Sequence, residues 1–210
     1  FQQPSSRYSV KRFSIFSLAR NALTGHRNWE KMWRSPDPRR EYDVVIIGGG
    51  GHGLGAAYFL AKEHGITNVA VLEKGWLGGG NTGRNTMTVR SNFLREDSVP
   101  FHEMSLDLYH QLSRDLNYNL MVSQRGMITF IQSSAANRVA LQMANTMHIY
   151  GAEYRMLTLD EVKQKIPIFD PSPDMRLPVR GGVDQPRASM VRHDAVAWGF
   201  ARAADARGVD

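Results

Sequence analysis

Gly48, Gly50 and Gly53 spell G-x-G-x-x-G directly after the apolar run Val44–Ile47 and at the head of an Ala-containing amphipathic stretch. Between a strand and a helix, each glycine has a physical task. The first permits a tight turn, the second lets the backbone approach a pyrophosphate, and the third lets helix and strand pack closely. The helix N-terminus then offers unpaired N–H groups and its positive dipole end to phosphates. Glu73 follows Gly53 by 20 residues, at the end of the β-branched segment "NVAVLEK". A carboxylate there can accept from ribose hydroxyls. Glycines alone can make a merely structural turn, but strand, helix, second strand and acid in register point to an adenine dinucleotide. The unit does not by itself distinguish FAD from NAD.

A histidine occupies the second position of interest. His193 lies in "SMVRHDAVAWGF", residues 189–200, between Arg192 and Asp194, where an Ala-rich helix is expected to start. Taken alone it flanks a helix cap. The positive helix end nevertheless disfavours a charged ring and leaves a neutral nitrogen able to attack an electrophile. Asp194 could orient the ring, as an acid orients a catalytic imidazole. His26, His64, His102, His110 and His148 show no metal-ligand spacing, and no paired carboxylates, Ser-His-Asp set or P-loop stands out.

The elements that must position these residues follow from pattern. Val44–Ile47 has the character of a fully buried strand. A helix from about Leu54 to His64, ended by Gly65, and a second strand at "NVAVLEK" complete a right-handed parallel β-α-β unit. Residues 76–92, "WLGGGNTGRNTMTVRSN", form a long polar loop of the kind that is functional or disordered. "DSVPFHEMSLDLYHQLSRDL" reads as a helix, and "LMVSQRGMITFIQ" as two strands turned at Gln124–Gly126. "SSAANRVALQMANTMHIYG" reads as a helix with a Ser cap and terminal Gly151. "TLDE", residues 158–161, is a capping box opening a short helix that Pro167 stops. The last helix runs from about Asp194 to Arg207 and is closed by Gly208; the β-branched residue after it suggests a further strand and an incomplete sheet. The expected fold is α/β, a Rossmann-type β-α-β unit with an inserted α+β substrate or partner region. Its expected parts are an arm (1–40), the β-α-β unit with its loop (41–95), a helical and hairpin region (96–180) and a return toward the first unit (181–210).

Composition narrows the class. The 42% hydrophobic and 22% charged residues suit a soluble globular chain, and no apolar run is long enough to cross a bilayer. Without cysteine there are no disulfides, thiolate metal sites or cysteine nucleophiles in this segment, and a reducing compartment fits. The net charge of +6 is local: residues 1–40 hold nine Lys/Arg against Glu30 and Asp37, leaving 17 basic and 18 acidic groups in residues 41–210. Such an arm reads as a transit peptide, a nucleic-acid tail or a subunit contact. It lacks a dense basic block, it contains the near-repeat "RYSV"/"RFSI", and "RNWEKMW" would put Trp29 and Trp33 on one helical face. Two tryptophans one turn apart favour burial against another subunit.

The loop "EKGWLGGGNTGRN" resembles the corresponding stretch of the glycine oxidase, sarcosine oxidase and D-amino-acid oxidase superfamily, where a Gly-rich loop folds over the flavin. Together, "YDVVIIGGGGHGLGAAYFLAKEHGITNVAVLEKGWLGGGNTGRNT" and "GGVDQPRASMVRHDAVAWGFARAADARGV" closely resemble the beta-subunit family of heterotetrameric bacterial sarcosine oxidases. The likeness runs from about Arg20 to the end and covers the front half of such a subunit; the residues before it depart from the family's short N-terminus.

This resemblance implies a non-covalent FAD held by Gly48, Gly50, Gly51, His52, Gly53, Glu73 and Lys74, with Asn81, Thr82, Arg84, Asn85 and Thr86 from the loop. Without it, His52 reads as a solvent-facing turn residue and the loop residues equally as solvated. It implies an FMN joined covalently to His193, because "RHDAVAWGFAR" matches the FMN-bearing segment and no cysteine is present for the thioether of the monomeric relatives. An amino-acid substrate needs a fork-shaped cation for its carboxylate; Arg84 and Arg90 are the candidates, with a surface arginine as the plain alternative. Further implied are alpha, gamma and delta partners, with NAD and tetrahydrofolate bound outside this chain. The implied reaction is oxidative demethylation of sarcosine to glycine: hydride passes to FAD, electrons to FMN and then to oxygen as hydrogen peroxide, and tetrahydrofolate captures the one-carbon unit. The expected location is the cytoplasm, without nucleic-acid or membrane partners. Two alternatives stay open, a dimethylglycine-dehydrogenase-like enzyme with a mitochondrial address in its arm, and a non-catalytic flavin-fold assembly factor.

Overall fold

The computed structural model describes residues 14–27 and 31–210. In chain order the elements are α1 (Ile15–Leu23), β1 (Val44–Ile47), α2 (Gly51–His64), β2 (Val69–Leu72), β3 (Thr88–Val89) and α3 (Ser98–Asp115). They continue with β4 (Ser123–Gln124), β5 (Met127–Ile131), α4 (Ser134–Ile149), β6 (Arg155–Thr158), α5 (Leu159–Lys165), β7 (Gly181–Gln185), β8 (Ser189–Met190) and α6 (His193–Asp205). The chain divides into two compact units, one running to Asn85 and resuming at His193–Asp210, the other Thr86–Arg192.

In the first unit β1 and β2 pair in parallel, from Val44 opposite Val69 to Ile47 opposite Leu72. α2 crosses between them and stops at Gly65, whose φ of +68° is the left-handed turn that glycine adopts without steric cost. α2 packs on α6. Leu54, Ala57, Tyr58 and Ala61 are buried on one helix, and Ala195, Val196, Ala197 and Phe200 on the other. A Cβ on Gly55 would lie 3.7 Å from the Phe200 ring, in ordinary van der Waals contact. The rings of Tyr58 and Phe200 meet at 5.5 Å, and each such large apolar side chain contributes about 1.5–3 kcal/mol on burial. Past α6 the chain lies beside β2, where Asp210 N–H donates to Val69 O at 2.9 Å and Val71 N–H to Asp210 O at 2.8 Å.

Residues 34–42 strap this corner. Arg34 Nε meets Asp205 Oδ1 at 2.5 Å, and Arg39 Nε meets Asp210 Oδ2 at 2.6 Å. Arg39 also donates to Gly208 O at 2.8 Å, and Tyr42 OH to Asp210 Oδ2 at 3.3 Å. The expected helix over "RNWEKMW" is not continued here: residues 31–40 are non-helical, since Pro36 and Pro38 oppose a helix. Trp29 and all of the near-repeat but Ser14 and Ile15 lie outside the described residues.

The second unit holds two antiparallel sheets, ordered β3-β8-β4 and β5-β7-β6. The two strands expected around Gln124–Gly126 exist but do not pair with each other: β4 joins β8, while β5 joins β7. β7, wholly buried, is the centre of its sheet. α4 is capped by Ser133, whose hydroxyl accepts the Ala136 N–H at 3.0 Å, and α5 opens on the expected capping box between Thr158 and Glu161. Ile131, Ala140 and Val183 cluster between sheet and helix. Among the described residues no helix is long and apolar enough to cross a membrane.

Candidate functional site

The glycine turn is built as its spacing requires. Gly48 takes φ +110°, open only to glycine without strain. At Gly53 a Cβ would stand 2.1 Å from Gly48 O, so helix and turn touch backbone to backbone. Gly50 is the extended N-cap of α2, which leaves the first N–H groups of the helix pointing out of its end.

Glu73 closes the turn from the β2 side. Its Oε2 accepts the Gly49 N–H and its Oε1 the Gly75 N–H, each at 2.8 Å. These two backbone donors, Gly75 first, hold the carboxyl below the usual Glu range against a smaller opposing effect of desolvation. A carboxylate has about four acceptor sites, so Glu73 keeps capacity for hydroxyl donors. Lys74, Asn81 and His52 are exposed beside it in sequence or on the helix start.

The loop after β2 folds back onto the turn. Gly78 N–H donates to Gly49 O at 2.8 Å, and the Thr82 hydroxyl accepts the Gly51 N–H at 2.9 Å. A single 3-10 turn, Asn81–Arg84, carries Thr82 there and lies against α6. Arg84 donates to the Gly79 and Gly80 carbonyls, and Asn85 Nδ2 to Thr82 O at 2.8 Å. The loop residues of the first unit are therefore an ordered cover over a helix N-terminus. Thr86 begins the second unit and is exposed.

His193 is the first residue of α6. Its Nδ1 is buried and has no hydrogen-bond partner. The expected orientation of the ring by Asp194 through that nitrogen is not observed: Asp194 Oδ1 accepts the Ala195 N–H at 2.8 Å, satisfying a donor that the helix start would otherwise leave open.

In the second unit Arg90 is half-buried, its guanidinium 4.6 Å over the Phe93 ring. Nη1 donates to Asn92 Oδ1 at 2.6 Å and Asn92 O at 3.1 Å. Phe93 stacks in turn on His102 at 4.0 Å. Burial first, and Arg90 second, push His102 below the ordinary histidine value. Burial raises the Tyr154 phenol to about 12, opposed by Arg90. Arg187 is ion-paired to Glu103 and Asp107. Ser91 joins the same network by donating to Glu103. The Gln185 amide oxygen accepts the Ser91 N–H at 3.0 Å in the orientation its neighbours require. Neither this network nor the Arg34 and Arg39 strap was foreseen, because each joins residues far apart in sequence. Among the described residues no His/Asp/Glu group is arranged to hold a metal.

A glycine-turn dinucleotide cradle with an acid at the end of β2 places the chain in a class of nucleotide-cofactor oxidoreductases, and it belongs to the FAD dependent oxidoreductase family, whose signature spans residues 43–210. It is 50% identical over 199 residues to "Sarcosine oxidase subunit beta" of Rhizobium meliloti (strain 1021), covering 95% of this chain and 48% of that protein. It is 48% identical over 181 residues to the protein of the same name in Arthrobacter sp, covering 86% of this chain and 45% of the other. The chain thus spans about half the length of these relatives. The L-proline dehydrogenase of P. horikoshii shares the fold at TM-score 0.74 and 23% identity, covering 82% of this chain and 44% of that one. Glycine oxidase from Geobacillus kaustophilus does so at TM-score 0.67 and 22% identity, covering 80% and 45%.

Proposed function

We propose that this chain is a subunit of a heterotetrameric, sarcosine-demethylating flavoprotein oxidase, with FAD held non-covalently at the glycine turn and FMN bonded to His193. The observation that carries the reading is the buried, unpartnered Nδ1 of His193, in the same compact unit as the glycine turn. An unsatisfied buried polar atom costs about 1–3 kcal/mol, a cost that a group held at the ring would relieve. The resemblance to relatives named sarcosine oxidase subunit beta supports the same conclusion.

The residues present fit a dinucleotide. The α2 N-terminus with the N–H groups of Gly50 and His52 would receive the pyrophosphate, Gly51 lying beside them with its N–H held by Thr82, and Glu73 would receive the ribose hydroxyls, with Lys74 adding positive charge. Asn81, Thr82, Arg84 and Asn85 line the cover, while Thr86 belongs to the second unit. When bound, the flavins supply the acceptor for hydride from the N-methyl carbon and the route by which those electrons reach oxygen. The chain's own part is to hold and orient. Arg90, half-buried and steadied by Phe93, offers a charged fork to the substrate carboxylate, whereas Arg84 is exposed and its Nη1 ties the loop by donating to backbone carbonyls. Sarcosine, water and oxygen then give glycine, formaldehyde and hydrogen peroxide, or the one-carbon unit passes to tetrahydrofolate. Tetrahydrofolate and NAD belong to partner subunits in this reading, the partners are alpha, gamma and delta subunits, and the compartment is the cytoplasm.

Acid denaturation of the assembled complex followed by mass measurement of this subunit tests the proposal. The subunit should carry one covalent FMN, and His193→Ala should lose it while retaining FAD. A wild-type subunit without covalent flavin returns His193 to a helix-flanking role. One flavin per complex would instead favour a dimethylglycine-dehydrogenase-like enzyme, and none an assembly factor.

A further inference from the structure

The arm is two devices rather than one. Its C-terminal part belongs to this chain, since Arg34 and Arg39 are ion-paired to Asp205 and Asp210. α1 is different. None of its nine residues is buried, yet the helix is cleanly two-sided. Ile15, Phe16, Leu18, Ala19, Ala22 and Leu23 share one face, and Ser17, Arg20 and Asn21 the other. Phe16 is 86% and Leu23 89% exposed. The helix is nonetheless terminated locally: the Ser14 hydroxyl accepts the Ser17 N–H at 3.1 Å, and Thr24 Oγ1 donates to Arg20 O at 3.0 Å. A short helix with both ends defined and a wholly exposed apolar face gains its stability from a partner.

Charge identifies that partner. Residues 1–27 hold Arg7, Lys11, Arg12, Arg20 and Arg27 and no acidic residue, while residues 41–210 are close to neutral. Two copies of α1 would bring like charges together, which disfavours self-pairing. An interfacial lipid-binding helix carries rows of Lys/Arg on its polar face; here that face has one, Arg20. At nine residues, α1 is about 13 Å long by the 1.5 Å rise per residue, the size of an anchor in a protein groove.

We propose that α1 docks, Phe16 and Leu23 foremost, into an apolar groove with an acidic rim on another subunit of the complex, with the Arg34/Arg39 strap as its fixed tether. This rests on the heterotetramer reading above. The experiment is co-expression of the full-length subunit with its partner subunits, comparing wild type, Phe16→Asp/Leu23→Asp and Arg20→Glu by size exclusion and native mass spectrometry. The double variant should weaken assembly by about tenfold or more, as loss of a buried aromatic anchor does. FAD retention and thermal unfolding of the isolated subunit should stay unchanged. Arg20→Glu should weaken assembly at low salt and much less at high salt. Unchanged assembly of the double variant overturns the proposal. So does wild-type binding to phosphatidylglycerol vesicles that the double variant loses, or a dimer of this chain that the variant abolishes. If the wild-type subunit elutes without partners, the heterotetramer reading itself fails, and the docking with it.

Discussion

Glu73 Oε2 accepts the Gly49 N–H at 2.8 Å, which joins the end of β2 to the middle of the glycine turn. One side chain therefore fixes the turn's shape, and in the function proposed above it also takes the ribose hydroxyls. Gln in its place has a single acceptor oxygen and sets an NH2 group against one of the two backbone donors. Glu73→Gln is expected to weaken FAD binding about tenfold or more, the scale of losing a hydrogen bond to a charged group. Flavin fluorescence on titrating the apo full-length subunit measures it. An unchanged affinity would remove Glu73 from the ribose site.

The same contacts set a pH dependence. Glu73 has a lower pKa in the folded chain than its ordinary value, so its contribution is present above the unfolded value of about 4.3 and is lost as pH falls through the lower folded value. Turn order and FAD retention should hold at neutral pH and decline only once the pH has fallen below the ordinary Glu value. Glu73→Gln should flatten that decline, as read by released flavin after gel filtration at each pH. A decline of equal size in the variant would place the titrating group elsewhere.

Two glycines two residues apart should behave oppositely. A Cβ at Gly53 would meet Gly48 O at 2.1 Å, backbone against backbone, whereas one at Gly55 would lie 3.7 Å from the Phe200 ring. Gly53→Ala is expected to destabilise by about 1–3 kcal/mol or more and to abolish FAD binding. Gly55→Ala should be neutral or stabilise by up to about 1 kcal/mol, because Ala is the better helix former. Urea unfolding with flavin titration distinguishes them, and equal effects would contradict the packing described.

His102 makes the second unit sensitive to mild acid. Its pKa is lowered in the fold, mainly by burial, so the neutral ring is favoured and stability is fully present above the unfolded value of about 6.5 and lost as pH falls through the folded value. His102→Phe keeps a ring against Phe93, 4.0 Å away in the wild type, but cannot titrate. Urea midpoints at about pH 5 and pH 7.5 should differ less in the variant; an unaltered difference would exclude His102 as the cause.

How much of this was legible in sequence depended on range. The glycine turn, Glu73 and the Thr158–Glu161 capping box are local patterns whose geometry is fixed within a few residues or one β-α-β crossover. Arg34 and Asp205 are 171 positions apart, and nothing around either residue announces the pair. β7 was hidden for another reason. "GGVDQ" has poor intrinsic strand character, but a Cβ at Gly181 would come within 2.6 Å of Leu157 O, so its glycines serve close approach of the neighbouring strand. The Asp194 reading failed because an acid at a helix start has a nearer donor in the backbone than in the preceding side chain.

The two arginine candidates separate on where each guanidinium sits, Arg84 exposed on the cover of the glycine turn and Arg90 half-buried against Phe93. Arg84 Nη1 donates to the Gly79 and Gly80 carbonyls, which ties that side chain to its own loop. Among the described residues, Arg90 uses only Nη1 in hydrogen bonds, both to Asn92, and is steadied face-on by Phe93. That leaves the other edge of its fork for a bidentate carboxylate, which lysine cannot match although it keeps the charge. Arg90→Lys in the assembled enzyme is therefore expected to raise KM for sarcosine by roughly 10–100-fold with a smaller change in kcat, the loss of about 1.5–3 kcal/mol from charged hydrogen bonds. Arg84→Lys should leave KM for sarcosine near wild type and instead loosen FAD. Steady-state kinetics with flavin quantified per subunit separates these outcomes. If Arg84→Lys alone raises KM at full flavin occupancy, the carboxylate clamp is Arg84, and the ordered loop rather than Arg90 grips the substrate.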